Sequence, residues 1–143
     1  MSPSDAATPT PAPASPSAPR ILVVDDDVIN QRVLLNLLKR RGWQGVVAAS
    51  GDECLRKLAA DPFDLVLLDI QMPEMDGFQT AVLIRQQEAS LSAPRRIPIV
   101  ALTAMRLPDT RERCLATGMD DHLTKPVNTD QLYELIQRIL TPP

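Results

Sequence analysis

"LVLLDIQMPEMDGF", residues 65–78, decides the fold. Four apolar residues, Leu65 to Leu68, run directly into Asp69. A short loop with Pro73 follows, and then Asp76-Gly77 opens a stretch of helical period. A continuous apolar run of this length suits a strand covered on both faces, as in a parallel sheet. Such a strand either ends on Asp69 for local reasons or exists to hold that carboxylate still.

Two further runs have the same form, "ILVV" at 21–24 and "IPIVAL" at 97–102. "WQGVVAA" at 43–49 makes a weaker strand, and "DHLT" at 121–124 a short one suited to a sheet edge. Between them the period becomes helical. Val33, Leu34, Leu37 and Leu38 are expected to share one face, and Cys54, Leu55, Leu58 and Ala59 another. Residues 77–88 and 107–117 form the third and fourth helices, with Gly118 suited to stop the fourth. Leu132, Leu135, Ile136, Ile139 and Leu140 follow the i, i+3, i+4, i+7, i+8 spacing of a last helix, which Asn128 or Thr129 would cap. Strand and helix alternate five times. That alternation predicts an α/β domain whose parallel sheet carries helices on both faces, joined by right-handed crossovers.

Composition bounds the rest. A chain of 143 residues suits one domain with a single core. A net charge of -3 argues against a general nucleic-acid binder, and only Thr141, Pro142 and Pro143 follow the last helix. No apolar run reaches membrane-spanning length, so no membrane contact by this segment is expected. Residues 1–19 hold six prolines and no Lys or Arg, which predicts a disordered linker, not a secretory signal, ahead of a folded domain at 20–141. Cys54 and Cys114 lie in helical segments without metal-ligand neighbours, and are expected as reduced, packed residues of a cytoplasmic protein.

The polar residues collect at strand ends. Asp25, Asp26 and Asp27 follow the first strand, Asp69 ends the third, Thr103 follows the fourth and Lys125 the fifth. Open α/β sheets bind ligands outside the carboxyl ends of their strands, where strand order reverses. Carboxylates gathered there repel, by about 4 kcal/mol for a pair roughly 4 Å apart at an effective dielectric near 20. Such a cluster needs a cation. The donors gathered at these strand ends are oxygens, so the ion is expected to be hard, Mg²⁺ or Mn²⁺. A carboxylate held with a divalent ion, a lysine and a hydroxyl is equipped to accept a phosphoryl group.

"ILVVDDDVINQRVL", "DLVLLDIQMPEMDGF", "IPIVALTA" and "GMDDHLTKPV" together resemble the receiver (response-regulator) domain of two-component signalling. The resemblance is strongest to receivers attached to hybrid sensor histidine kinases. It implies a doubly wound, flavodoxin-like sheet of five parallel strands in the order 2-1-3-4-5. It also implies that Asp69 is the phosphoacceptor, Asp26 a direct metal ligand, Asp25 a ligand acting largely through water, and the backbone carbonyl of Gln71 a third protein ligand. Thr103 would bond the phosphoryl group and Lys125 would be the site's fixed cation. His122 stands where the family keeps a switch aromatic, commonly Tyr or Phe. The implied partners are a histidine kinase or a histidine phosphotransfer domain, and the chain would at most catalyse its own phosphorylation and dephosphorylation. Two alternatives stand beside this reading: a degenerate receiver that only binds partners, and an aspartate-nucleophile phosphohydrolase. The second needs an Asp two residues beyond the nucleophile, where this chain has Gln71.

Neighbouring residues carry smaller expectations. A cis bond before Pro126 would aim Lys125 inward. Asp27 suits the first helix's N-cap, and Asn30 a structural or partner contact. Met72 and Met75 suit loop packing, while Gln71 and Met105 would flank the path of an attacking water.

Overall fold

The computed structural model describes residues 18–72, 75–91, 96–104 and 110–140. Most of the expected linker, Pro73, Met105 and the start expected for the fourth helix lie outside these residues. Ten elements alternate: β1 (Arg20–Val24), α1 (Val28–Arg40), β2 (Gln44–Ala48), α2 (Gly51–Ala60), β3 (Leu65–Asp69), α3 (Gly77–Ser90), β4 (Ile99–Thr103), α4 (Thr110–Ala116), β5 (Asp121–Thr124) and α5 (Thr129–Leu140). All strand pairs are parallel and the sheet order is β2-β1-β3-β4-β5, the expected 2-1-3-4-5.

The burial of each strand follows its place. β3 and β4, central in the sheet, are buried throughout, as is β1 after Arg20. β2 and β5 form the edges, and most of their residues are only partly buried. This is why "WQGVVAA" reads as a weak strand: one side of it has no neighbour to cover it. Alternation along the strands divides the core. Ile21, Val23, Leu65, Leu67, Val100 and Leu102 pack with α1 and α5, while Leu22, Val24, Val66, Leu68, Ile99 and Ala101 pack with α2, α3 and α4.

Two expectations about helix faces are corrected. On α1, Leu34, Leu37 and Leu38 are buried, but Val33 is 52% exposed. On α2, Cys54 is buried, with Leu55 and Leu58 packed against the core, but Ala59 is exposed. Both outliers lie at the margin of a helical stripe, where a 3.6-residue period carries one of two adjacent apolar residues towards solvent. The strand expected from Ile97 begins at Ile99; Pro98, which has no N–H, precedes it and accepts through its carbonyl from Val66 N–H.

The helix starts match their sequence signals. Asp27 caps α1, its side chain accepting from Ile29 and Asn30 N–H. Asp76 and Gln79 form a capping box on α3, and Asn128, not Thr129, caps α5 by accepting from Gln131 N–H at 3.0 Å. Gly118 has φ +99° just past α4. A network sequence reading does not reveal closes the far end of the sheet. Arg85 of α3 donates to the carbonyls of Gly118 and Ile97 and pairs with Glu88 and Asp120, which Arg96 also engages.

Candidate functional site

Strand order reverses between β1 and β3, whose ends lie side by side because Val24 pairs with Leu68. Asp25 therefore leaves β1 next to Asp69 at the end of β3. One carboxylate oxygen from each of Asp25, Asp26 and Asp69 lies within 4.8 Å of the other two. Asp25 and Asp69 are buried, at 0% and 2% exposed, while Asp26 faces solvent.

Each group is held by its local backbone. Asp25 Oδ1 accepts from Asp27 N–H at 2.8 Å, and Asp25's carbonyl accepts from the Gln31 side chain at 2.6 Å. Asp69 Oδ1 accepts from Gln71 N–H at 3.1 Å and from Lys125 Nζ at 3.0 Å. Lys125 also stands 3.8 Å from Asp25 Oδ2. Its N–H donates to the carbonyl of Thr103 at 2.8 Å, which ties the end of β5 to that of β4. The Lys125–Pro126 bond is cis, as expected. Thr103 is fully buried, one position beyond Leu102, the register partner of Asp69.

Behind the acid, Gly77 makes a close approach: a Cβ there would stand 2.6 Å from the carbonyl oxygen of Asp69 and 2.7 Å from Ile70 Cα. Only glycine lets the start of α3 abut the strand end that carries Asp69. Met72 is buried in the core, and Met75 packs beside Gly51, which agrees with their reading as loop packing.

The electrostatics point to a cation. One lysine faces three carboxylates. At an effective dielectric near 20, a like-charged pair separated by 4.8 Å costs about 3.5 kcal/mol. Burial, the largest cause, pushes the Asp25 carboxyl up from its ordinary 3.8; the Asp27 N–H pulls it down, Asp69 pushes it up, Lys125 lowers it and Asp26 raises it. Asp25 Oδ2 is buried without a hydrogen-bond partner among the described residues. A shielded carboxylate oxygen aimed into an all-oxygen cluster fits a hard divalent ion.

The structure brings together Asp25, Asp26, Asp69 and Lys125, and places Thr103 at the adjoining strand end. Gln71 is exposed at the mouth with its N–H on Asp69. His122 lies on β5, opposite Ala101. Sequence reading missed Gln31 and the role of Gly77. Gln31 gives no signal beyond being a polar residue in the first turns of α1; the "DG" that opens α3 hints at Gly77.

The comparisons agree with this geometry. Residues 21–137 match the model of the response regulator receiver domain. The chain is 39% identical over 139 residues to the sensor histidine kinase GacS of Pseudomonas protegens, covering 93% of this chain and 15% of that protein. It is 40% identical over 116 residues to the hybrid signal transduction protein dokA of Dictyostelium discoideum, covering 81% of this chain and 7% of that one. The chain thus spans only a small part of these curated relatives. Among solved structures, the receiver domain of the sensor histidine kinase PA1611 from Pseudomonas aeruginosa superposes with a TM-score of 0.76 at 35% identity, over 87% of this chain and 98% of that one. That structure has a magnesium ion coordinated in its active site cleft. The chemotaxis protein CheY4 of Vibrio cholerae gives a TM-score of 0.78 at 30% identity, covering 87% of this chain and all of its own. With a reversed strand order that sets three carboxylates and a lysine at one sheet edge, and a family match across nearly all the folded residues, this chain belongs to the response regulator receiver domain family.

Proposed function

We propose that this chain is a phosphoacceptor in a two-component phosphorelay, taking a phosphoryl group from a phosphohistidine onto Asp69. The observation that carries this reading is the convergence of the Asp25, Asp26 and Asp69 carboxylates with the Lys125 ammonium 3.0 Å from Asp69. A carboxylate oxygen of Asp69 attacks phosphorus, the bond from phosphorus to the histidine nitrogen breaks, and the leaving imidazole takes a proton from solvent. The product is an acyl phosphate. Lys125 already sits on the Asp69 carboxylate and offers its charge to the phosphoryl oxygens. Thr103, at the adjoining strand end, supplies a hydroxyl to one of them.

Asp25, Asp26 and Asp69, with the backbone carbonyl of Gln71, would hold Mg²⁺ or Mn²⁺. The ion would supply charge neutralisation for the incoming phosphoryl group. Asp25 and Asp26 give the site its need for that charge, and Asp27 N–H and Gln31 fix the loop that presents them. Output runs through protein contacts. Thr103 moving towards the phosphoryl group leaves space that the side chain at position 122 fills, which alters the surface of α4, β5 and α5. The partners are a histidine kinase or a histidine phosphotransfer domain, in a cytoplasmic setting.

Incubation with acetyl phosphate and Mg²⁺ followed by intact mass tests this. The expected result is a hydroxylamine-labile adduct that Asp69→Ala abolishes. No adduct would indicate a module that only binds partners. Rapid turnover without accumulation would indicate a hydrolase, and an acid-stable label on Ser or Thr would overturn the assignment of Asp69.

A further inference from the structure

Asp26 faces solvent, yet one of its carboxylate oxygens lies within 4.8 Å of an oxygen from buried Asp25 and one from buried Asp69. The backbone on either side holds it there. A peptide unit is planar, so a residue set between two fixed units has both of its soft dihedrals fixed. Both units that flank Asp26 are anchored. The unit before it carries the Asp25 carbonyl, which accepts from Gln31 Nε2 at 2.6 Å. The unit after it carries the Asp27 N–H, which donates to Asp25 Oδ1 at 2.8 Å.

The two anchors differ in kind. The second is made by an oxygen of Asp25, itself a member of the carboxylate cluster. The first comes from outside the cluster. Gln31 offers a neutral carboxamide, which donates without adding charge to the site. Its support is rigid. Gln31 N–H donates to the Asp27 carbonyl at 3.0 Å, and Leu34, Leu37 and Leu38 bury α1 against Ile21 and Val23 of the sheet. At the other end of the loop, Asp25 N–H donates to the Ala48 carbonyl at 3.1 Å, which carries the β1–β2 pairing one residue further. Asp26 therefore spans two fixed ends, and Gln31 joins one to the other.

We propose that Gln31 is a positioning residue for the metal: by gripping the 25–26 peptide it presets the Asp26 carboxylate beside Asp25 and Asp69, so the loop is already ordered before an ion binds. This rests on the phosphoacceptor reading above, and assigns part of its Mg²⁺ affinity to a residue outside the ligand set. Ordering a backbone takes up binding energy, and a loop ordered in advance spares it. Removing an outer partner of a metal ligand weakens binding by roughly 10–100-fold. Gln31 grips the backbone and not the ligating carboxylate, which puts its effect near the lower end. The filled site has the same ligands either way, so its chemistry is unchanged.

Gln31→Met keeps the length of the side chain and removes the donor. Titration of the metal-free protein with Mg²⁺, followed through the amide shifts of 65–71, reads the affinity directly. The Kd of the variant is expected to rise about tenfold. Labelling by acetyl phosphate should divide in the same way. The half-saturating Mg²⁺ should rise about tenfold, while the rate at saturating Mg²⁺ stays within about twofold of the wild type. A purely structural role gives the opposite pattern, a lower rate at saturation from a smaller folded fraction and an unmoved half-saturation; that result overturns the proposal. So does a folded variant that binds Mg²⁺ as tightly as the wild type. A second measurement needs no variant. The Gln31 side-chain amide of the wild type should exchange with solvent more slowly than that of Gln131, which is exposed, and equal rates overturn the proposal. If Mg²⁺ leaves the 65–71 amides of the wild type unmoved, the metal-assisted phosphoacceptor reading itself fails, and this inference with it.

Discussion

Asp25→Asn is expected to stabilise the metal-free protein. Asp25 is 0% exposed, and its neighbours pull in opposite directions. At an effective dielectric near 20, the Lys125 ammonium 3.8 Å away attracts the Asp25 carboxylate by about 4.4 kcal/mol. Asp69, within 4.8 Å, repels it by at least about 3.5 kcal/mol. Asp26 adds a smaller repulsion because solvent screens it. The pairwise interactions nearly cancel, which leaves the cost of burying a charged oxygen that has no hydrogen-bond partner among the described residues. A carboxamide lacks that charge, and its oxygen can still accept from Asp27 N–H. We expect a gain of about 1–2 kcal/mol, a Tm rise of roughly 5 °C for a domain of this size. The pH dependence has a definite sign. Folding raises the Asp25 carboxyl above 3.8, so the folded state keeps its proton longer than the unfolded chain does. Stability from this group is complete below 3.8 and is lost as pH rises through the higher folded value. Thermal unfolding by circular dichroism in EDTA should show that fall for the wild type and not for the variant. Mg²⁺ should reverse the ranking, since a ligand at a hundred times its Kd adds about 2.7 kcal/mol to the protein that binds it. A variant less stable than the wild type in EDTA by more than about 1 kcal/mol would refute the reasoning, because the Lys125 pair would then dominate the site.

Gly77→Ala places a Cβ 2.6 Å from the Asp69 carbonyl oxygen, against backbone that cannot yield, and should cost roughly 1–3 kcal/mol in a urea titration; an unchanged midpoint would show that α3 shifts freely. Thr103→Ala should still accept a label at Asp69 but show much smaller beryllofluoride-induced amide shifts across 110–140. Losing a charge-assisted bond of about 1.5–3 kcal/mol reduces a two-state bias by roughly ten- to over a hundredfold, and a full response in the variant would rule Thr103 out as the coupling residue. Cys54 is fully buried, and burial pushes its thiol up to about 12, so a thiol reagent at neutral pH should label it only as fast as the chain unfolds; prompt labelling of the native protein would contradict this packing.

Much of the fold was legible because its signals are local. "ILVV", "LVLL" and "IPIVAL" read as buried strands since a central parallel strand has no solvent face, and the structure buries all three apart from Pro98, which precedes the strand proper. Asp27 and Gly118 mark helix ends because capping and a positive φ are properties of single residues. The site was legible as a set of strand-end residues, Asp25, Asp26, Asp69, Thr103 and Lys125, because the C-terminal edge of an alternating α/β chain is one place in space.

Only the tertiary structure decided which of these groups touch and which are shielded. Lys125 meets Asp69 across 56 residues of chain, and Arg85 reaches Gly118 across 33, separations over which no periodicity carries information. Adjacent in sequence, Asp25 and Asp26 read alike, yet one is fully buried, with an oxygen that has no hydrogen-bond partner among the described residues, and the other faces solvent. Val33 reads as core and is exposed. A residue's type and spacing set what it is able to do; its burial, its partners and the charge it can bear come from elements that the rest of the chain folds around it.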